Sequence, residues 1–191
     1  MDRDETVNRH KIEVKDLVLM GACVAFIAIC AFMTIPTVVP FTLQTFAIFF
    51  VLLLLGGKKG TITIVAYVLL GTLGVPVFAG FTGGPGVVFG LTGGYIVGFI
   101  LTGVIYLLLT MKEDTKLIIK ILALIIGLLV CYTYGTVWFI HVYTKNTGAI
   151  GVWQALTWCV LPFIPFDAIK LAAAVLIGVR VQKIIKEEEN K

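Results

Sequence analysis

Residues 162–170 read Pro-Phe-Ile-Pro-Phe-Asp-Ala-Ile-Lys and open the last long apolar run of the chain. Asp167 and Lys170 stand three residues apart, so on a helix they share one face. An ionisable group inside a membrane span costs roughly 2.5–3.5 kcal/mol on insertion scales, so such groups usually face a cavity and have a task. The rest of the chain is the scaffold that makes that pair tolerable.

The surroundings are apolar throughout. The chain has 191 residues, 59% hydrophobic and 14% charged, with a mean hydropathy of +1.04. A water-soluble domain of this length needs far more polar surface. The charges gather at the two ends and in short clusters, with apolar runs between them long enough to cross a bilayer. The expected fold class is an all-α membrane protein of one domain. It has a tail over 1–16, a bundle over 17–180 and a second tail over 181–191. The net charge of +4 then reports membrane topology, not nucleic-acid binding. Cys23, Cys30, Cys131 and Cys159 form no C-x-x-C pair and sit in or beside apolar runs, where thiols serve as small packing residues. The first apolar run is too long for a cleavable signal and reads as a retained span.

Six spans are expected. The first covers about Leu17 to Ile35, with Gly21, Ala25, Ala28 and Phe32 at helical spacing; small residues four apart let another helix approach closely. Pro36 and Pro40 break it into a turn that runs to Gln44. The second span, about Leu43 to Gly56, is short for a full crossing and closes on the basic hairpin Gly57-Lys58-Lys59-Gly60. The third runs from Thr61 to Leu73. A glycine-rich, otherwise apolar stretch follows from Gly74 to Gly94 and carries Phe78, Phe81 and Phe89. Its glycine density opposes a helix. An apolar, non-helical backbone beside a membrane must be buried in protein or line a cavity. The fourth span runs from Gly93 to Met111, with Gly94, Gly98 and Thr102 as a close-packing stripe. The fifth runs from Leu117 to Val142, with Gly127, Cys131 and Gly135 at the same spacing. Residues 149–160 suggest a short helix along the outer face. The sixth span starts near Pro162 or Pro165 and ends near Val179.

Six spans put both termini on one side. With that side as the cytoplasm, thirteen of the fifteen basic residues and ten of the eleven acids lie in cytoplasmic segments, as the positive-inside rule requires. Lys145 lies outside. Asp167 and Lys170 are the acid and the base left at membrane depth, and they fall near the outer end of the bundle, under the glycine-rich loop. An outward cavity with an acid, a base, aromatics and exposed amides suits a small amphipathic solute. Lys170 would donate to a carbonyl or carboxylate, Asp167 would accept from N–H groups, and Gln44 would add an amide contact. An ion pair that only fixes helix packing is the simpler alternative. Enzyme signatures are missing: no H-E-x-x-H, no G-x-S-x-G and no G-x-x-x-x-G-K-[ST]. Uphill transport would then draw on an ion gradient or a partner ATPase.

Four motifs in order resemble one family: P-F-T-L-Q-T-F at 40–46, G-V-P-V-F-A-G-F at 74–81, T-G-G-Y at 92–95 and L-P-F-I-P-F-D-A-I-K at 161–170. They resemble the BioY family, the biotin-specific substrate-binding (S) components of energy-coupling factor (ECF) transporters, over essentially all six spans. The resemblance implies a six-helix S-component bundle in the cell membrane, with both termini cytoplasmic and the glycine-rich loop extracellular. It implies that biotin binds with Asp167 and Lys170 on its bicyclic head. Phe41, Gln44, Phe78, Thr82, Gly93, Gly94 and Tyr95 are implied as cavity lining or further contacts. No metal or cofactor is implied. The implied partners are a transmembrane coupling protein, reached through Gly21, Ala25 and Ala28, and two ATPases that would supply the energy. Whole-body toppling of the S component is the implied transport step. A stand-alone or ion-coupled carrier, an S component for another vitamin, and a membrane enzyme or accessory protein using the Asp–Lys pair are the competing readings.

Overall fold

The computed structural model describes residues 13–112 and 115–189, with side chains through residue 184. Most of the expected N-terminal tail and two residues of the charged turn, Glu113 and Asp114, lie outside the described residues. Helix α1 spans Val14–Phe32. Its first turn is tied down at both sides: the Glu13 amide donates to the Asp16 carboxylate at 3.2 Å, and Lys59 Nζ lies 2.5 Å from Asp16 Oδ1. The helix stops at Phe32, three residues before the expected end. Pro36 disfavours helical backbone at the residue before it, and Thr34–Ile35 (β1) instead pair antiparallel with Phe41–Thr42 (β2). This two-residue ribbon is the expected Pro36–Pro40 turn.

Helix α2 runs over Gln44–Thr72 as one assigned element, but Gly56 inside it has φ 74 and ψ 176, a region open essentially to glycine alone. The chain reverses there. Gln44 Nε2 donates to Tyr67 Oη at 2.7 Å across 23 positions, which a straight helix would hold about 35 Å apart. Two antiparallel arms result, 44–55 and 57–72. The expected hairpin loop is thus compressed into one residue, and Lys58 and Lys59 stand in the first turn of the second arm.

The glycine-rich segment after α2 is folded back on it. Gly84 N donates to Gly71 O at 2.6 Å, and Phe78 bridges Thr82. A 3-10 turn at Ala79–Phe81 and a single helical turn, α3 (Pro85–Val88), lie within it. Phe78 is buried against Tyr67 and Gly71 of the second arm, and Phe81 stacks on Phe32 at 4.1 Å. Helix α4 (Gly93–Leu109) follows, then α5 (Leu117–Asn146). Their two small-residue stripes face each other. A Cβ on Gly98 would fall 2.6 Å from Cys131 Sγ, and one on Gly127 would fall 2.7 Å from Thr102 Cγ2. Thr102 Oγ1 donates to Gly127 O at 3.0 Å and locks the register. Helix α6 (Val152–Cys159) and α7 (Ile164–Glu189) complete the chain, bent 43° from each other. Helix α7 continues through what was expected to be the start of the C-terminal tail, and packs on α2.

The result is a mostly helical bundle. Helices α1 and α5 are long and apolar enough to cross a membrane, α2 is so only with its two arms taken as one element, and the bent α6–α7 pair gives a further such segment; α4 is apolar but shorter.

Candidate functional site

Three helix N-termini converge at one end of the bundle. Gln44 begins α2, Tyr95 lies in the first turn of α4, and Asp167 lies in the first turn of α7. All three side chains border a cavity of about 310 Å³, near the small end of the range for small-molecule sites. The β ribbon covers one side through Val39, Pro40 and Thr42, and the glycine-rich segment covers another through Phe78, Ala79 and Thr82. Helix α2 starts at Gln44, directly after the ribbon, and Thr42, Gln44 and Thr45 at this junction all border the cavity.

Asp167 is 1% exposed and Lys170 7%. Their side chains meet at 2.8 Å, Nζ to Oδ1. The carboxylate has two further donors: Thr45 Oγ1 at 2.8 Å on Oδ1 and Tyr132 Oη at 2.5 Å on Oδ2. Its place in the first turn of α7 adds the favourable field of that helix end. The ammonium sits 4.5 Å from the centre of the Phe41 ring. That ring is held by Phe163 and Phe166, at 5.2 and 4.8 Å. A charge this deep is tolerable only when paired and hydrogen-bonded, and each of these contacts serves that need. The pair also remains on the cavity wall, so an acceptor on a ligand can reach Lys170 and a donor can reach Asp167.

The residues singled out from the sequence divide into groups. Asp167, Lys170, Gln44, Phe78, Thr82 and Tyr95 line the cavity together. Phe41 stands behind them, against the Lys170 ammonium. The Gln44 amide is already engaged: Nε2 donates to Tyr67, and Oε1 accepts from Thr42 Oγ1 at 3.3 Å. Gly93 and Gly94 are positions of close backbone approach. A Cβ on Gly93 would strike Val88 O, and one on Gly94 would fall 2.3 Å from Trp138 Cβ. They set how α4 meets its neighbours and are not among the lining residues. On α1, Gly21 and Ala25 are exposed while Ala28 is buried; the Ala79–Phe81 turn packs on this end of α1. Sequence reasoning passed over Thr45, Cys131, Tyr132 and Cys159, all on the cavity wall. Thr45 lies inside the quoted P-F-T-L-Q-T-F motif, which was its one signal. Tyr132 lies within the fifth span, and nothing local marks it as the partner of a carboxylate 35 positions away.

Comparison with known proteins points to one family. The Thermotoga maritima biotin transporter BioY is 38% identical over 172 residues, 90% of this chain and 98% of that one. Biotin transporter BioY2 of Lactococcus lactis is 32% identical over 164 residues, 85% of each chain. The crystal structure of the S-component for biotin from an ECF-type ABC transporter matches with a TM-score of 0.75 at 29% identity, over 89% of this chain and 92% of that one. The sequence model of the BioY family matches residues 5–187. With a match across nearly the whole chain and relatives above 30% identity along most of their length, the chain belongs to the BioY family.

Proposed function

We propose that this chain is the biotin-binding S component of an ECF-type, ATP-driven importer. The observation that carries this reading is the buried Asp167–Lys170 pair on the wall of a cavity of small-molecule size. Biotin's ureido ring carries N–H donors beside a carbonyl acceptor. One edge of such a ring presents a donor and an acceptor side by side, complementary to a carboxylate beside an ammonium. Tyr95, Phe78 and Phe163 supply the apolar surface around it. Gln44 and Thr82 complete the proposed contact set, with Phe41, Gly93 and Gly94 as its support.

In this reading α1, the two arms of α2, α4, α5 and α7 are six crossings with both termini cytoplasmic. The convergence of the α2, α4 and α7 N-termini at the cavity supports that alternation, and the Lys59–Asp16 pair belongs to the opposite, cytoplasmic end. The coupling protein docks on the exposed small-residue face of α1 at Gly21 and Ala25, and two ATPases supply the energy. The test is calorimetric titration of biotin into the detergent-purified chain alone. Binding that is lost in Lys170→Ala, with the protein still folded, is the expected outcome. Wild-type affinity in that variant, or no binding to the wild type, would overturn the assignment. Uptake into vesicles with and without the coupling protein and ATPases then separates this reading from a stand-alone carrier.

A further inference from the structure

Helices α5 and α7 make few close backbone contacts with each other. Between them, and closed at one side by α6, lies an apolar groove of about 600 Å³. Ile125 and Ile140 mark its ends on α5, a length of about 22 Å at the rise of an α-helix. Tyr132 and Asp167 border both this groove and the ligand cavity, so their hydrogen bond is part of the partition between the two.

Four polar side chains lie on the groove wall, and each is spent on the protein. Tyr132 Oη donates to Asp167; Asp167 also accepts from Thr45 and Lys170. Thr133 Oγ1 donates to Leu129 O, and Thr136 Oγ1 is bonded to Tyr95 Oη. An occupant therefore meets aliphatic walls such as Leu129, Val137, Leu156 and Ile164. The whole empty space of the groove is about 1290 Å³, which over about 22 Å makes it about 9 Å across, against roughly 10–12 Å for a helix with its side chains. It is too narrow for a partner helix and wide enough for one hydrocarbon chain. Leu129 and Ile164 of its wall are themselves exposed, as are Ile126 and Ile169 on the same helices, so it opens where a bilayer would lie.

We propose that the groove between α5 and α7 is a binding site for one acyl chain of a membrane lipid, which packs behind the Tyr132–Asp167 pair and seals the ligand cavity from the bilayer. The proposal rests on the reading of α5 and α7 as membrane crossings, but it needs no particular ligand in the cavity. Hydrocarbon behind the pair keeps water away from that side of Asp167. It also fills space that would otherwise leave the wall without packing partners.

The test uses the full chain reconstituted in vesicles of phosphatidylcholine, a fraction of it carrying a diazirine on one acyl chain. After irradiation the adducts are mapped by peptide mass spectrometry. The expected result is adducts concentrated on groove residues such as Leu129, Val137 and Leu156, saturating at one lipid per protein. Ala168→Trp, which places a ring in the groove, should lose them, while Leu176→Trp, on an exposed face of α7 outside it, should keep them. The wild-type map needs no variant, so a poorly folding Ala168→Trp leaves it decisive. Adducts spread evenly over exposed positions such as Leu69, Leu108 and Leu176 would show annular lipid only and overturn the site. So would a cross-linked second copy of the chain in place of lipid, or adducts that persist in a folded Ala168→Trp. Biotin titration of the same sample reports separately on the cavity, so a failure there is distinguishable from a failure here.

Discussion

Replacing Asp167 by Asn removes one charge and almost no volume from a buried polar cluster. The Asn oxygen can still accept from Thr45 and Lys170, but Tyr132 Oη faces an amide nitrogen or turns away. Lys170, 7% exposed, is left as an unpaired buried cation. Breaking one side of a buried pair costs about 3–5 kcal/mol, and the retained oxygen puts the expected loss of stability near the lower figure. On the ligand side, one hydrogen bond to a charged acceptor becomes neutral. Such bonds contribute about 1.5–3 kcal/mol, so biotin should bind roughly tenfold to a hundredfold more weakly. The double variant Asp167→Leu/Lys170→Met separates the two effects. It removes the uncompensated charge, so its stability should recover toward wild type, while biotin binding disappears. Thermal unfolding in detergent and calorimetry on the same samples read both quantities. A double variant that binds biotin with wild-type affinity would refute the reasoning. So would an Asp167→Asn protein unchanged in both measurements, because either result means the charge pair serves neither ligand nor fold.

Tyr132→Phe removes the donor on Asp167 Oδ2, and biotin affinity measured by calorimetry should fall by about tenfold, in line with the loss of a hydrogen bond to a charged group; an unchanged affinity would show that the tyrosine is only packing. Gly135→Ala places a Cβ 2.3 Å from the Tyr95 ring, which must move relative to the cavity it lines. Biotin titration should show weakened binding with the helical circular-dichroism signal retained, whereas wild-type binding would mean the ring yields elsewhere. Gly56→Ala forces a side chain into the reversal at φ 74 and ψ 176, with an expected loss of about 1–3 kcal/mol; a melting temperature equal to wild type would show that the reversal tolerates another backbone conformation.

The linear order of residues determined several of these features on its own. Charge placement isolated Asp167 and Lys170 because a deep ionisable pair stands out against long apolar runs. The two stripes, Gly94-Gly98-Thr102 and Gly127-Cys131-Gly135, were legible because close helix approach demands small residues at helical spacing, and the structure sets them against each other. The four motifs pointed to the family, because motif order survives in the sequence itself. Tertiary structure alone decided the rest. That Gly56 is one reversing residue and not a loop depends on a backbone conformation that composition does not display. That Ala28 is buried while Ala25 is exposed depends on how the neighbouring elements pack on α1. Thr45 and Tyr132 became partners of Asp167 only when α2, α5 and α7 met, since hydrogen bonds across 122 and 35 positions leave no local periodicity to read. Sequence pattern shows which groups are too polar for their surroundings; which distant donors make them stable is settled by packing.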